Sequence, residues 1–497
     1  MKDALLPIFR AVAEGRLTQA EALVRIKALK RQARDPGQGV LLADVEWTAS
    51  PALASDAQAP DRVLLWGVSR DALAALRAQR AGAEIVELAT PASGPVEDVF
   101  TQTMLRAFEA IRAMLGATTG ERVLLVAADA ADATVAAGFE AMCRTAMEEN
   151  PGFAARMVRV PADIDGAELC GVVRDESATG SPRGVAVRHV RREGRLQREL
   201  ARWRVLEHGA AGDAPAIAPV VFKEGGCYLV TGGAGGIGLQ FAREIVAQTG
   251  AARIVLTGRS ALRADARKAI DALATSSHRI DYVELDVTRA EAVDGLIARL
   301  QAEGQPPSGI LHCAGFLRDA FAIRKSADDF AAVLAPKVAG LANLDRATRD
   351  LPLDFMLLCS SFAACWGIVG QIDYAAANAF MDAFATHRNR LAEQGARCGR
   401  TLSVNWPLWR DGGMRIDAAT WERLQDHTGM EPLATATAMR ATYRGFALDC
   451  DRLLVMEGEL PSMQALLEVS DSTSDTTPDV TRETAPTRAA MIDNGAA

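Results

Sequence analysis

The sequence predicts an α/β protein made of two successive doubly wound units with mostly parallel sheets, preceded by a helical hairpin. Apolar segments of strand length alternate with helix-length segments along both halves of the chain, the pattern of helices laid on a parallel sheet. In the second half a glycine-rich turn joins one such strand to one such helix. The length of 497 residues exceeds what one hydrophobic core usually holds and suits two units.

Composition sets the class. Hydrophobic residues make up 49% and charged residues 24% of the chain, near the average for globular proteins. A net charge of -8 without a basic, aromatic-interleaved stripe argues against nucleic acid as the main partner. The basic residues between Arg183 and Arg204 read as a solvated face. Eight scattered cysteines show no C-x-x-C or Cys/His metal spacing, so buried, reduced thiols and no metal site are expected. No signal-peptide core and no run of ~20 apolar residues is present, so the expectation is a cytoplasmic protein with no membrane span.

Residues 1–34 read as a helical hairpin, with Leu5, Ile8, Phe9 and Val12 on one face and a T-x-x-E capping box at Thr18 to Glu21. Two short helices cannot bury their stripes alone, so they pack on the body or serve docking or homodimerisation. Residues 40–220 form the first unit, with strands expected at Val63 to Val68, Val123 to Ala127, Met157 to Val160 and Gly184 to Val190. Its helices are expected at Val96 to Leu115 and Thr134 to Glu149. After its first strand the turn Gly67-Val68-Ser69-Arg70 lacks the glycine spacing that wraps a pyrophosphate, so this unit is degenerate, without a nucleotide site. An Ala/Pro/Gly linker, Ala210 to Pro219, leads to the second unit, residues 221–462. Its strands are expected at Cys227 to Thr231, Arg253 to Gly258, Asp281 to Val287, Gly309 to Ala314, Asp354 to Ser360, Thr401 to Asn405 and Arg452 to Met456. That series implies a doubly wound sheet of Rossmann type. Residues 463–497, rich in Ser, Thr, Asp and Pro, read as a disordered linker.

The strand ending at Thr231 runs into Gly232-Gly233-Ala234-Gly235-Gly236-Ile237-Gly238 and then a helix. Such a turn lets backbone approach phosphate closely while helix N-terminal amides face its charge. Its T-G-x-x-x-G-x-G spacing resembles the short-chain dehydrogenase/reductase superfamily. Where an NAD enzyme often carries an acid for the ribose 2′-hydroxyl, this chain has Gly258-Arg259-Ser260, and arginine there suits a 2′-phosphate, hence NADPH. The resemblance further implies that Asp286 and Val287 flank the adenine. It also implies that His312-Cys313-Ala314-Gly315 forms a cofactor-side turn in which His312 is structural.

Ketone reduction by hydride needs donors on the developing alkoxide, an acid, and a cation that eases the acid's deprotonation. The superfamily's spacing of serine 13 residues before tyrosine selects Ser361 and Tyr374 and leaves Ser360 structural. Four residues after Tyr374 stands Asn378, where most members carry lysine; lysine occurs instead as Lys337, in Pro336-Lys337-Val338-Ala339-Gly340. This exchange, together with Gln371-Ile372-Asp373-Tyr374-Ala375-Ala376-Ala377-Asn378 and Val404-Asn405-Trp406-Pro407-Leu408-Trp409, resembles ketoreductase domains of modular polyketide synthases, especially those lacking an integrated acyltransferase. The resemblance implies reduction of the β-keto group of an acyl thioester borne by an acyl carrier protein, beside neighbouring synthase domains. It implies that Lys337 binds the nicotinamide ribose and Asn378 organises a relay water. The resemblance further places Leu317, Asp319, Trp366, Gln371 and Met414 on the substrate side. Asp319 marks one stereochemical class and Trp366 the other; the histidine that often accompanies the tryptophan is absent from Gly370 to Asp373, so a D-configured product is expected. A non-catalytic structural domain and a reductase of free small ketones are the alternatives.

Overall fold

The computed structural model describes residues 37–50, 60–79, 83–88, 94–116, 122–129, 133–178, 186–210, 221–413 and 418–471. The N-terminal hairpin, the linker after Ala210, Met414 and the tail beyond Asp471 lie outside the described residues. The strands of the first unit are β1 (Gln38–Ala49), β2 (Arg62–Trp66), β3 (Glu84–Glu87), β4 (Arg122–Asp129), β5 (Ala154–Pro161), β6 (Val187–Arg192) and β7 (Arg195–Ala210). Those of the second are β8 (Cys227–Thr231), β9 (Ala252–Gly258), β10 (His278–Glu284), β11 (Gly309–His312), β12 (Phe355–Ser361), β13 (Arg400–Trp406) and β14 (Arg452–Glu459).

Both expected units are present, and a single fourteen-stranded sheet runs through them in the order β10-β9-β8-β11-β12-β13-β14-β1-β7-β6-β5-β4-β2-β3. The strands from β10 to β14 are parallel. The seam is antiparallel, β14 on β1 and β1 on β7, with Leu41 opposite Met456 on one side and His208 on the other. Strand order reverses twice, between β8 and β11 and between β2 and β4. Only at such switch points do connections leave in opposite directions and open a crevice at the strands' carboxyl ends.

The helices Val96–Leu115 and Thr134–Glu149 occupy the predicted ranges and pack across the seam onto the second unit. Phe100 meets Phe380 at 4.8 Å and Phe108 stacks on Phe330 at 4.5 Å. Ala141 lies among Ala364, Ala375 and Ala379, small side chains that let two helices approach closely. Each fully buried phenylalanine contributes roughly 1.5–3 kcal/mol to that contact.

Several expectations are corrected. The segment assigned to a disordered linker from residue 463 begins as helix, Leu460–Asp471, because Met463 and Leu467 bury against Leu41 and Met456 on β1 and β14. The strand expected at Asp281 to Val287 starts earlier and ends at Glu284; Asp286 then turns the chain by accepting from the N–H and hydroxyl of Thr288. The basic stretch is exposed from Arg191 to Arg195 and carries ion pairs: Arg198 binds Glu176, while Arg188 and Arg192 both bind Glu199. All eight cysteines are free, but Cys398 is exposed rather than buried. Among the described residues no helix is long and apolar enough to cross a membrane.

Candidate active site

The β8–β11 switch point gathers the predicted residues. Thr231 ends β8, and Gly232 follows in the left-handed region at φ +65°, where a Cβ would meet Ala314 N at 2.9 Å. Gly233 and Gly238 are equally confined, with a Cβ meeting Leu256 Cβ at 2.7 Å and Gly232 O at 2.8 Å. Ala234 and Gly235 complete the turn, and Gly236 and Ile237 open the helix Gly236–Gln248. Its first amides therefore face the crevice with Gly235 at the N-cap and no side chain satisfying them.

Around this turn stand the other cofactor candidates. Arg259 and Ser260 follow β9 and are exposed. The Arg259 guanidinium lies over the Phe316 ring at 4.7 Å, and Arg318 approaches the same ring at 5.6 Å. Ser260 O accepts from the Tyr282 hydroxyl. Val287 is buried beneath Gly340, and Val287 O accepts from Asn343. Ala314 N lies 3.4 Å from Thr231 Oγ1, and a Cβ on Gly315 would strike Lys337 Cε at 2.8 Å. His312 is fully buried and shares a 2.8 Å hydrogen bond with Thr231 Oγ1; burial, then the Lys337 ammonium, pushes its pKa down to about 3. A neutral ring bracing the turn is what that environment permits.

The catalytic candidates converge from three elements. Lys337 ends the helix Ala327–Lys337; its Nζ donates to Cys359 O at 2.9 Å and lies 5.3 Å from the Tyr374 ring centroid. Tyr374 and Asn378 lie one turn apart on the helix Ile372–Glu393, where Asn378 Nδ2 donates to Tyr374 O at 2.6 Å. Asn378 Oδ1 is buried and has no hydrogen-bond partner among the described residues, as a water-binding acceptor would. Ser361 ends β12, and its Oγ accepts from Ala363 N at 3.2 Å, leaving the hydroxyl hydrogen to donate elsewhere. Ser360 instead donates to Asn378 O and accepts from Asn405 Nδ2, a bracing role.

Of the residues expected on the substrate side, Leu317 and Asp319 lie in the loop after β11, and Gln371 precedes the helix Ile372–Glu393; Gln371 Nε2 donates to Asp319 Oδ2 at 3.2 Å. Trp366 is partly buried, and its indole stacks with Trp203 at 5.7 Å and with Phe362 at 5.4 Å. A partly buried indole in that stack supports the seam.

Residues missed in the sequence form a hub behind these loops. Lys325 and Asp373, both almost wholly buried, pair at 2.6 Å, and Lys325 Nζ also donates to Arg318 O at 2.5 Å. Glu149, on the first unit, accepts from Ala322 N at 2.6 Å and Gly370 N at 3.0 Å. Nothing in local sequence pairs groups so far apart. Phe316, directly after the H-C-A-G turn, had a legible signal as an aromatic in a cofactor-side loop.

A tyrosine, a serine and a buried ammonium set beside a glycine turn at the carboxyl edge of a doubly wound sheet fit a nicotinamide dinucleotide. They define an oxidoreductase of the short-chain dehydrogenase/reductase type. The comparisons narrow that class. The family model for the KR domain matches residues 226–411. The polyketide synthase ThaG of Burkholderia thailandensis is 38% identical over 449 residues, 90% of this chain and 8% of that protein. The polyketide synthase PksL of Bacillus subtilis is 37% identical over 376 residues, 75% of this chain and 8% of that protein. The chain thus spans less than a tenth of the length of either relative. A crystal structure of a ketoreductase domain from the bacillaene assembly line is 31% identical with a TM-score of 0.78, covering 86% of this chain and 99% of that one. This chain belongs to the ketoreductase domains of polyketide synthases.

Proposed function

We propose that the protein uses NADPH to reduce the β-keto group of an acyl thioester carried on the phosphopantetheine arm of an acyl carrier protein, giving the D-configured β-hydroxyacyl product. The observation that carries this reading is the Lys337 ammonium, 5.3 Å from the Tyr374 ring and held by Cys359 O. When bound, the dihydronicotinamide supplies the hydride. The chain's own groups handle the oxygen. Ser361 and Tyr374 donate hydrogen bonds to the carbonyl oxygen, whose negative charge grows as hydride arrives. Tyr374 then gives up its proton, and the nearby ammonium stabilises the phenolate left behind. A water on Asn378 Oδ1 restores the proton. Arg259, exposed directly after β9, supports the preference for a 2′-phosphate. Asp319, bonded to Gln371 beside the catalytic helix, supports the D product.

The test follows NADPH consumption with a β-ketoacyl thioester presented on a carrier protein and, separately, on N-acetylcysteamine, with chiral chromatography of the product. Turnover is expected on both, faster on the carrier. Tyr374→Phe is expected to retain NADPH binding and to lose turnover by roughly two orders of magnitude or more. Near-normal turnover in that variant removes the site assignment, and a mainly L product removes Asp319 from its role.

A further inference from the structure

Two loops adjoin the start of the helix that carries Tyr374. One follows β11 and includes Asp319 and Ala322; the other, residues 367–371, runs directly into the helix that carries Tyr374. They are joined to each other by Ala320 N donating to Gly370 O at 3.1 Å and by the Gln371–Asp319 bond. They are also joined to one side chain from the other unit, since Glu149 Oε2 accepts from Ala322 N and Glu149 Oε1 from Gly370 N. We propose that Glu149 is a positioning residue for the reduction: its carboxylate clamps the two loops beside Tyr374 and so sets how the ketone is presented to hydride.

The residue type fits the task. Two amide N–H groups from separate loops converge on one place, and only a carboxylate offers two oxygens that both accept and neither donates. The bonds are charge-assisted, and each is worth about twice a neutral one. Burial raises the Glu149 pKa, while the Ala322 and Gly370 amides oppose that shift by favouring the charged form. Local helix energetics do not explain the residue. Glu149 is the last residue of the helix Thr134–Glu149, where the negative end of the dipole disfavours a carboxylate by roughly 0.3–1 kcal/mol. The loop it grips is built to reach it. Gly370 has φ +85°, and a Cβ on Gly367 (φ +56°) would meet Arg144 C and Thr145 N at 2.7 Å, so the loop lies directly against the helix's backbone. Nearby, Lys325 Nζ ties Arg318 O to Asp373, and Arg112 on the helix Val96–Leu115 donates to Lys325 O at 3.0 Å. The unit without a cofactor site thereby reaches the residue that precedes Tyr374.

This inference rests on the reductase reading, and its test separates the two. Glu149→Gln places an amide NH₂ against one of the two N–H donors, and Glu149→Asp keeps the charge but is one methylene too short to span both loops. Wild type and both variants are compared by thermal unfolding, NADPH affinity, hydrogen exchange, and the enantiomer ratio formed from a β-ketoacyl-N-acetylcysteamine thioester. For Glu149→Gln we expect unchanged NADPH affinity and faster exchange confined to residues 317–325 and 367–373. The minor enantiomer should rise roughly tenfold relative to the major, the ratio that follows from losing one charge-assisted bond. Glu149→Asp should fall between Glu149→Gln and wild type. Faster loop exchange with an unchanged enantiomer ratio in either variant overturns the steering role, and unchanged exchange overturns the clamp. Should Glu149→Gln not fold, Glu149→Asp decides on the same two readouts. A wild-type protein that leaves the thioester unreduced counts against the reductase reading instead, and the exchange data still decide whether the clamp exists.

Discussion

The two α/β units reverse their strand order in the same way, yet the turns at the two reversals are built differently. At the end of β8, Gly232, Gly233 and Gly238 are each pressed against backbone or a neighbouring strand, so none of these three positions has room for a side chain. At the end of β2 a single left-handed glycine, Gly67 at φ +71°, reverses the chain, and Ser69 caps the next helix by accepting from Ala72 N. A side-chain cap satisfies the amides that a phosphate would otherwise meet. The first unit instead spends its helices on the second, through Phe100, Phe108, Ala141 and Glu149. A fold duplicated in outline differs at its two switch points in turn chemistry rather than in topology, which supports binding by the second unit and bracing by the first.

The largest expected effect that would break this comparison is on acid stability. His312 in the second unit has its pKa pushed from 6.5 down to about 3, so the folded form resists a proton that the unfolded chain accepts. Its stabilising contribution is complete above pH 6.5 and is lost as pH falls toward 3, a displacement worth several kcal/mol. Glu176 in the first unit goes the same way lower down. Burial would raise its pKa, but His189 and Arg198 hold it near 2, so its contribution is present above 4.5 and lost as pH falls through about 2. Between pH 6.5 and 4.5, then, hydrogen-exchange protection corrected for intrinsic rates should fall in β11 and persist in β5 and β6. A parallel decline in both would dissolve the distinction.

A smaller effect separates the two turns. Alanine at Gly232 incurs left-handed strain and a 2.9 Å contact with Ala314 N, and is expected to weaken NADPH binding by on the order of 2 kcal/mol. Alanine at Gly67 meets Ala128 Cβ at 3.2 Å and Ala128 N at 3.9 Å and should cost about 1 kcal/mol of stability with NADPH affinity unchanged. Calorimetric unfolding and cofactor titration of the pair read both quantities, and a loss of NADPH affinity in Gly67→Ala would show that the first unit is not merely a brace. Smallest is Arg259→Ala, expected to weaken NADPH roughly tenfold while leaving NADH nearly unaffected, as loss of a charge-assisted phosphate contact requires. Equal weakening of both cofactors in parallel titrations would instead assign Arg259 to the Phe316 stack alone.

What the sequence determined by itself is whatever backbone periodicity and short spacing encode. Strand and helix alternation, the glycine turn after Thr231 and the single helical turn from Tyr374 to Asn378 are local, because each depends on dihedrals and neighbours within a few residues, whereas the interval from Ser361 to Tyr374 was legible only through the family resemblance. Tertiary structure alone decided that β1 pairs with β14 and fuses the sheets, since an apolar edge strand specifies a face but not a partner. It also turned Leu460–Asp471 into helix, by offering Met463 and Leu467 a surface on which burial offsets the entropy of ordering. It drew Trp366 into an aromatic stack and brought Lys325 to Asp373 and Glu149 to Ala322 and Gly370. A buried charge leaves no periodic trace in the chain: its partner is fixed by how elements dock, and docking is settled only when the whole core closes.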